Sequence, residues 1–349
     1  MATPNPYLSP QSPPLSDEDP APCASELNPE LQAPVVDLCG ALAGDGGSMR
    51  AAAGAVDEAC RRHGVFLVRN HGVDPQLVAR AHAGMERFFS LPPQEKQRAK
   101  RSSGDHQGYT DGLTERFTTQ FLWKEMLSFH FTEAAAGSVE KYFVQTLGTD
   151  FRDFGKEWEE YSEAMSGLSV AIMEVMGVGL GVGRSYLRDF FIGNESNVCL
   201  NYYPPCRRSE VTLGTGPHCD PTSITILHQD DVGGLQVSYD GRWHSVAPAP
   251  ATFVVLVGDT FMALTNGMYK SCVHRAVVNE RRARKSISFF LCPARDRVVR
   301  PPPQLLAGGN PRRAYPDFQW PTFHDFIRKH YHVDTRTLQA FSDWFVTSK

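Results

Sequence analysis

The chain has no Lys or Arg before Arg50, no Cys-x-x-Cys pair among its eight cysteines, and no apolar run near the roughly 20 residues of a membrane span. Without early basic residues, neither the charged start of a secretory signal nor the arginines of a mitochondrial transit peptide are available, and a cytoplasmic protein is expected. Without paired spacing, Cys23, Cys39, Cys60, Cys199, Cys206, Cys219, Cys272 and Cys292 read as reduced, buried thiols. A formal net charge of −4 with short, scattered basic clusters gives no pull toward phosphate backbones or anionic lipid. Nucleic acid and membrane are therefore not expected partners. The densest basic run, Arg281, Arg282, Arg284 and Lys285, reads on charge alone as a solvated flank of a strand.

Phosphate-binding loops are missing as well. The stretch Gly177 to Gly183 lacks the spacing of a dinucleotide fingerprint and follows a helical pattern where a strand is required, so it reads as a helix terminator. Gly214 and Gly216 read as serving the turn before His218.

What the chain does have is length and an ordinary globular composition: 349 residues, 41% hydrophobic and 21% charged, enough for a large core. Residues 1–33 are rich in Pro, Ser and Glu and read as a disordered tail. A short strand at Pro34 to Leu38, a helix over Met49 to Arg62 and a strand at Val65 to Val68 follow. Asp74-Pro75 supplies an N-cap and a first-turn proline for a helix running to about Ser90. Residues 92–148 read as loop, with Gly104, Gly108 and Gly112, interrupted by the apolar Phe121-Leu122-Trp123. Trp158, Tyr161, Met165, Leu168, Ile172 and Val175 then recur at spacings of three and four, the mark of a long core helix.

From Asn197 to Pro293 the pattern turns to short β-rich runs, including Gly234 to Tyr239, an Asp240-Gly241 hairpin turn and Trp243 to Val246. Helical patterns return from Thr322. Helices, then dense strands, then helices argue for an α+β protein with a β-sandwich or jelly-roll core and helices packed outside it. The expected divisions are a helical region over 34–190, the β core over 191–300 and a C-terminal helical segment over 301–349. The long helix reads as core rather than as a coiled-coil seam, so a monomer is expected.

Three same-face pairs carry the chemistry. His218 and Asp220 lie two apart in the β-patterned run His218 to Leu227, and His274, separated from Asp220 by 53 intervening residues, lies in a second such run, Tyr269 to Ala276. Two imidazoles and one carboxylate suit iron(II) and leave adjacent positions open, whereas a structural zinc site would fill its fourth position with another Cys or His. Arg284 and Ser286 open the apolar strand Ile287 to Leu291 and can clamp a carboxylate between them. Asn201 and Tyr203 form the third pair. Each pair alone is common in strands; their order and spacing together are specific.

From Pro34 to the C-terminal helices the sequence resembles the plant 2-oxoglutarate/iron(II)-dependent dioxygenase family, which implies a double-stranded β-helix (jelly-roll) core. The family's His-x-Asp and distant His map onto His218, Asp220 and His274, its Arg-x-Ser motif onto Arg284 and Ser286, and the tyrosine of its Asn-Tyr-Tyr-Pro motif onto Tyr203. The run Gly64 to Val73 is similar to its entry segment, where His71 reads as structural. Asn201 to Cys206, Leu213 to Ser223 and Leu227 to Asp230 resemble the gibberellin 20-oxidase group, as does the substrate segment around Trp123, Lys124 and Glu125. Leu122 stands where that group has proline and Met126 where it has threonine.

The resemblance implies iron(II), 2-oxoglutarate as cosubstrate, ascorbate as reductant and a small diterpenoid acid as substrate, oxidised at carbon 20 to give C19 gibberellins, succinate and carbon dioxide. A gibberellin 3- or 2-oxidase, or a flavonoid oxygenase, would carry the same iron site and remains an alternative at this stage. So does a member that binds a ligand without turnover, although no metal-binding residue is missing.

Overall fold

The computed structural model describes residues 28–102, 105–111, 123–206, 213–307, 313–330 and 336–347. The tail up to residue 27, with Cys23, and the positions Gly104, Gly112, Phe121 and Leu122 lie outside the described residues. Residues 28–33, read from sequence as tail, are part of the fold. Leu31 is buried, its N–H donates to the Ser245 carbonyl, and the Ser245 N–H donates to the Pro29 carbonyl. One large side chain and an open sheet edge suffice to order a segment that composition alone leaves loose.

The first half supplies β1 (Val35–Asp37), α1 (Cys39–Leu42), α2 (Gly46–Arg62), β2 (Val65–Arg69), α3 (Pro75–Phe89), α4 (Pro93–Arg98), β3 (Gly108–Thr110), β4 (Glu125–Thr132), α5 (Ser138–Leu147), α6 (Arg152–Gly179) and α7 (Arg184–Phe191). The second half supplies β5 (Glu195–Tyr203), β6 (Leu213–His218), β7 (Ile224–Gln229), β8 (Leu235–Tyr239), β9 (Arg242–Ser245), β10 (Phe253–Val257), α8 (Asp259–Leu264), β11 (His274–Val277) and β12 (Arg284–Cys292). The chain ends with β13 (Val298–Val299), α9 (Pro303–Ala307), β14 (Phe318–Gln319), α10 (Trp320–His330) and α11 (Thr337–Thr347).

Two sheets face each other as a jelly roll. The main sheet runs β1-β2-β10-β7-β12-β5-β4-β3 and the smaller one β6-β11-β8-β9. Between them lies a small apolar cluster that includes Leu67, Leu227, Leu235, Val237 and Val254. The larger core is outside, where Phe66, Ile226, Val255, Phe289 and Phe129 pack under α2, α3, α5 and α6. Every member of the three-and-four stripe on α6 is buried there. Asp74 caps α3 by accepting from the Gln76 N–H, and Asp240-Gly241, both at positive φ, close the β8–β9 hairpin as expected.

Residues 92–148 are not loop: they hold α4, β3, β4 and α5. The signal was present, since Leu127, Phe129 and Phe131 alternate with Ser128 and His130, and Val139, Phe143 and Leu147 recur every four residues. The β-patterned run from His218 to Leu227 is also two pieces. β6 stops at His218, and residues 219–223 carry the chain across to β7 in the other sheet. Likewise Tyr269 to Val273 is not strand, and β11 begins at His274 itself. Within the β-rich stretch α8 is inserted, its first amides bonding the carbonyls of Asp220 and Pro221. Among the described cysteines all thiols are free and most are buried, but Cys39 is exposed at the start of α1.

Candidate active site

His218 is the last residue of β6 and His274 the first of β11, and the two are direct cross-strand partners. Antiparallel register therefore puts both imidazoles on one face, with ring centroids 4.2 Å apart. Each ring is oriented through its Nδ1, which lies 2.8 Å from the Gly216 carbonyl in His218 and 3.2 Å from the Cys272 carbonyl in His274. A carbonyl can only accept, so Nδ1 carries the proton and Nε2 presents its lone pair inward.

Asp220 reaches the same point from the link between the sheets. Its oxygens lie 3.4 Å from His218 Nε2 and 3.7 Å from His274 Nε2. Gly258 makes this possible, because a Cβ there would sit 2.1 Å from the Thr222 carbonyl and 2.8 Å from that of Asp220. The Thr225 hydroxyl on β7 donates to the Asp220 carboxylate and fixes its rotation.

One ligand atom from each of the three residues lies within 4.8 Å of the others, the spacing of a facial triad with open positions beside it. Burial pushes the His274 imidazole down to about 4, so it is neutral, as a metal ligand must be. Burial opposes ionisation of Asp220, but the imidazoles, when they carry a proton on Nε2, and the Thr225 hydroxyl outweigh it and hold the carboxyl below the usual range. Asp259 behaves oppositely: burial, with Asp220 nearby, raises it to about 7. The donor set thus fits iron(II): two imidazole nitrogens and one carboxylate oxygen, each braced from behind.

The second half of the site lies on β5 and β12. Their register pairs Arg284 with Tyr203 and Ser286 with Asn201, so the two pairs read from sequence form one square on the inner face. Arg284 is only 1% exposed. Its Nη1 donates to the Ser286 hydroxyl and its Nη2 to Gln229 Oε1, both at 3.2 Å, while Nε has no hydrogen-bond partner. The guanidinium lies 5.0 Å from the Tyr203 ring centre. No carboxylate among the described residues is within ion-pair distance of it. A buried cation with an unmet donor and no directly paired carboxylate among the described residues is costly, and an anion in the barrel would complete it. The distal carboxylate of 2-oxoglutarate fits that role.

Glycines here make space rather than turns. A Cβ on Gly214 would lie 2.4 Å from the Tyr203 ring, and one on Gly234 would lie 3.1 Å from Arg284 Cδ. Gly214 is inside β6, so its reading as part of a turn is corrected: it clears room for Tyr203.

The predicted substrate segment splits by strand parity. Lys124 points to the inner face, its Nζ 3.1 Å from Thr215 Oγ1 and 3.5 Å from Asn201 Oδ1, with Thr215 also bonding the Tyr203 hydroxyl. Glu125 points the other way. Its carboxylate takes the buried Lys96 ammonium and the Tyr109 hydroxyl, so its placement beside substrate is corrected to a structural ion pair. Trp123 is 44% exposed. His71 accepts from the Val73 N–H and packs on Phe253, away from the triad, as a structural residue. Sequence reasoning did not find Thr225, Gln229, Gly258 or Asp259, because each acts through a contact made only in the folded chain.

Residues 194–293 match the family described as the 2OG-Fe(II) oxygenase superfamily, and residues 33–145 match the one described as non-haem dioxygenase in morphine synthesis N-terminal. Gibberellin 20 oxidase 1-D of Triticum aestivum is 54% identical over 94% of this chain and 90% of its own. Gibberellin 20 oxidase 1 of Arabidopsis thaliana is 54% identical over 90% of this chain and 84% of its own. Among solved structures, JOX2 in complex with 2OG, Fe and JA superposes with a TM-score of 0.77 at 30% identity, covering 94% of this chain and 95% of that one. The rice dioxygenase for auxin oxidation gives 0.73 at 27% identity, covering 88% and 99%. Likeness of this depth over nearly the whole length agrees with the donor geometry, and the chain belongs to the iron(II)- and 2-oxoglutarate-dependent oxygenase family.

Proposed function

We propose that this oxygenase is a gibberellin 20-oxidase, acting repeatedly at carbon 20 of C20 gibberellins and releasing C19 gibberellins, succinate and carbon dioxide. The observation that carries the reading is the extent of its likeness to the wheat and Arabidopsis gibberellin 20 oxidases.

Iron(II) held by His218, Asp220 and His274 supplies oxygen activation coupled to decarboxylation of 2-oxoglutarate. The protein's part is positional. His218 and His274 keep their Nδ1 protons on backbone carbonyls, so Nε2 stays available. Arg284, Ser286 and Tyr203 hold the distal carboxylate of the cosubstrate, with Asn201 beside them. Lys124, hydrogen-bonded to Thr215 and Asn201, is the cation that would orient the acidic diterpenoid. Met126 is in register with Asn201 and so shares its face. With a small net charge and a small acid as ligand, the enzyme works as a cytoplasmic monomer without nucleic acid.

The test is direct. Purified protein with iron(II), ascorbate and 2-oxoglutarate is given C20 gibberellins, C19 gibberellins and a flavonoid, and products are read by mass spectrometry. Loss of carbon 20 with matching succinate is expected. Hydroxylation of C19 gibberellins alone would move the assignment to a 3- or 2-oxidase. For Lys124→Ala, an unchanged Michaelis constant and product ratio would remove that residue from the site.

A further inference from the structure

The inner face of the main sheet can be followed row by row through its register. Thr225 on β7 opposes Phe290 on β12, Phe290 opposes Asn197 on β5, and Asn197 opposes His130 on β4. Directly opposed residues share a face, and Thr225 holds the Asp220 carboxylate, so Phe290 and Asn197 stand on the metal's side of the sheet. Their sequence neighbours agree, since Val198, Ile226 and Phe289 all pack outward under the helices.

The row has a definite place relative to the cosubstrate. Beside it lies the row of Leu227, Ser288 and Cys199, and beyond that the row of Gln229, Ser286 and Asn201, which belongs to the square around Arg284. A molecule stretched from the triad to Arg284 therefore runs over Ser288 and Cys199. Phe290 and Asn197 are left level with Thr225, on the side of that path away from Arg284, which is the space remaining for the organic substrate. Neighbouring strands are about 4.8 Å apart, so Asn197 stands about 10 Å along the row from Thr225, the width of a fused ring skeleton.

Both residues are incomplete in the protein alone. Asn197 Oδ1 is buried and has no hydrogen-bond partner, although His130 and Phe290 flank it. The two nearest asparagines are committed: Asn194 donates to Ser166 and accepts from Ser196, and Asn201 accepts from Lys124. Phe290, a large ring on the inner face, belongs to none of the apolar clusters formed by the described residues. A buried carbonyl oxygen without a donor and an aromatic ring outside any apolar cluster are each unfavourable. One molecule can complete both, with an apolar skeleton over Phe290 and a hydroxyl that reaches Asn197.

We propose that Asn197 is a specificity-determining residue: its Oδ1 accepts a hydrogen bond from a ring hydroxyl of the organic substrate while Phe290 packs on the apolar skeleton, so a hydroxylated substrate is preferred over its deoxy counterpart. The inference rests on the oxygenase reading and narrows its substrate class. Discrimination comes from the deoxy molecule, which would leave the oxygen buried without a donor.

The test compares C20 gibberellins carrying one ring hydroxyl with their deoxy counterpart on wild type, Asn197→Leu and Phe290→Leu. Turnover is measured together with anaerobic calorimetric binding to protein loaded with iron(II) and 2-oxoglutarate. Wild type should bind at least one hydroxylated member about 3- to 10-fold more tightly than the deoxy compound, the size of one neutral hydrogen bond. Asn197→Leu should abolish that preference by weakening the hydroxylated member alone, and should leave the KM for 2-oxoglutarate unchanged. Phe290→Leu should weaken both members alike and keep the preference. Every hydroxylated member bound within about twofold of the deoxy compound by wild type, or a preference that survives in Asn197→Leu, overturns the proposal. A preference lost in Phe290→Leu would assign the recognition to the ring and overturn it as well. Should Asn197→Leu not fold, Asn197→Ala gives the second reading, with the same loss of preference expected. If wild type refuses gibberellins but accepts another small acid, the gibberellin reading falls, and a hydroxylated and a deoxy form of that acid still decide Asn197.

Discussion

On β12, Ile287, Phe289 and Leu291 point outward into the helices, while Arg284, Ser286 and Ser288 point inward. The neighbouring β5 repeats the pattern, with Val198 and Leu200 outside and Cys199, Asn201 and Tyr203 inside. Both faces are buried, yet one is apolar and closely packed and the other is polar with an unmet donor on Arg284. Stability is held on the outer face, and the inner face stays polar because it is to be completed by ligands. The two faces should therefore respond differently to substitution.

The largest expected effect is on the inner face. His274→Ala should reduce succinate release to background while the thermal midpoint without metal stays close to wild type; a comparable collapse of folding would merge the two faces. Next, Arg284→Lys keeps the charge but loses the fork, and should raise the KM for 2-oxoglutarate about 10- to 100-fold with little change in stability. On the outer face Phe289→Ala should cost about 3–5 kcal/mol by denaturant unfolding, with both Michaelis constants unchanged in the protein that remains folded.

The smallest effect tests a polar pair on the outer face, where His82 Nε2 and His228 Nδ1 lie 2.7 Å apart. Burial, the neighbouring imidazole and Lys285 lower His82 from 6.5 to about 4, and burial with His71 does the same to His228. Between those values the unfolded chain binds more protons than the folded one. Their contribution is full above pH 6.5 and is lost as the pH falls toward 4. Unfolding free energy followed across that window should decline in wild type and decline less in His82→Gln. Equal slopes would show that the pair does not titrate there.

The long elements were legible from the sequence because their signals are local. The α6 stripe, the Asp74-Pro75 start of α3 and the Asp240-Gly241 hairpin need only spacing and backbone preference. The inner-face pairs on β5 and β12 were legible for the same reason, since side chains two apart in a strand must share a face. Glu125 was misplaced by ignoring that rule: with Lys124 facing inward, its neighbour has to face outward. β4 was overlooked although its alternation is regular, because glycines upstream suggested loop.

Other features depend on residues far apart in the chain. No spacing reveals that Gly214 leaves room for Tyr203, that Gly258 lets the 219–223 link close on Asp220, or that Leu31 orders a Pro-rich segment. By itself the sequence determined which residues have the chemistry to bind a metal and a dicarboxylate, because donor types and strand parity are written residue by residue. Only the tertiary structure decided that His218 and His274 meet as cross-strand partners and that Asp220 joins them from a crossover. Those are long-range pairings, and their geometry exists only once two sheets have closed on each other.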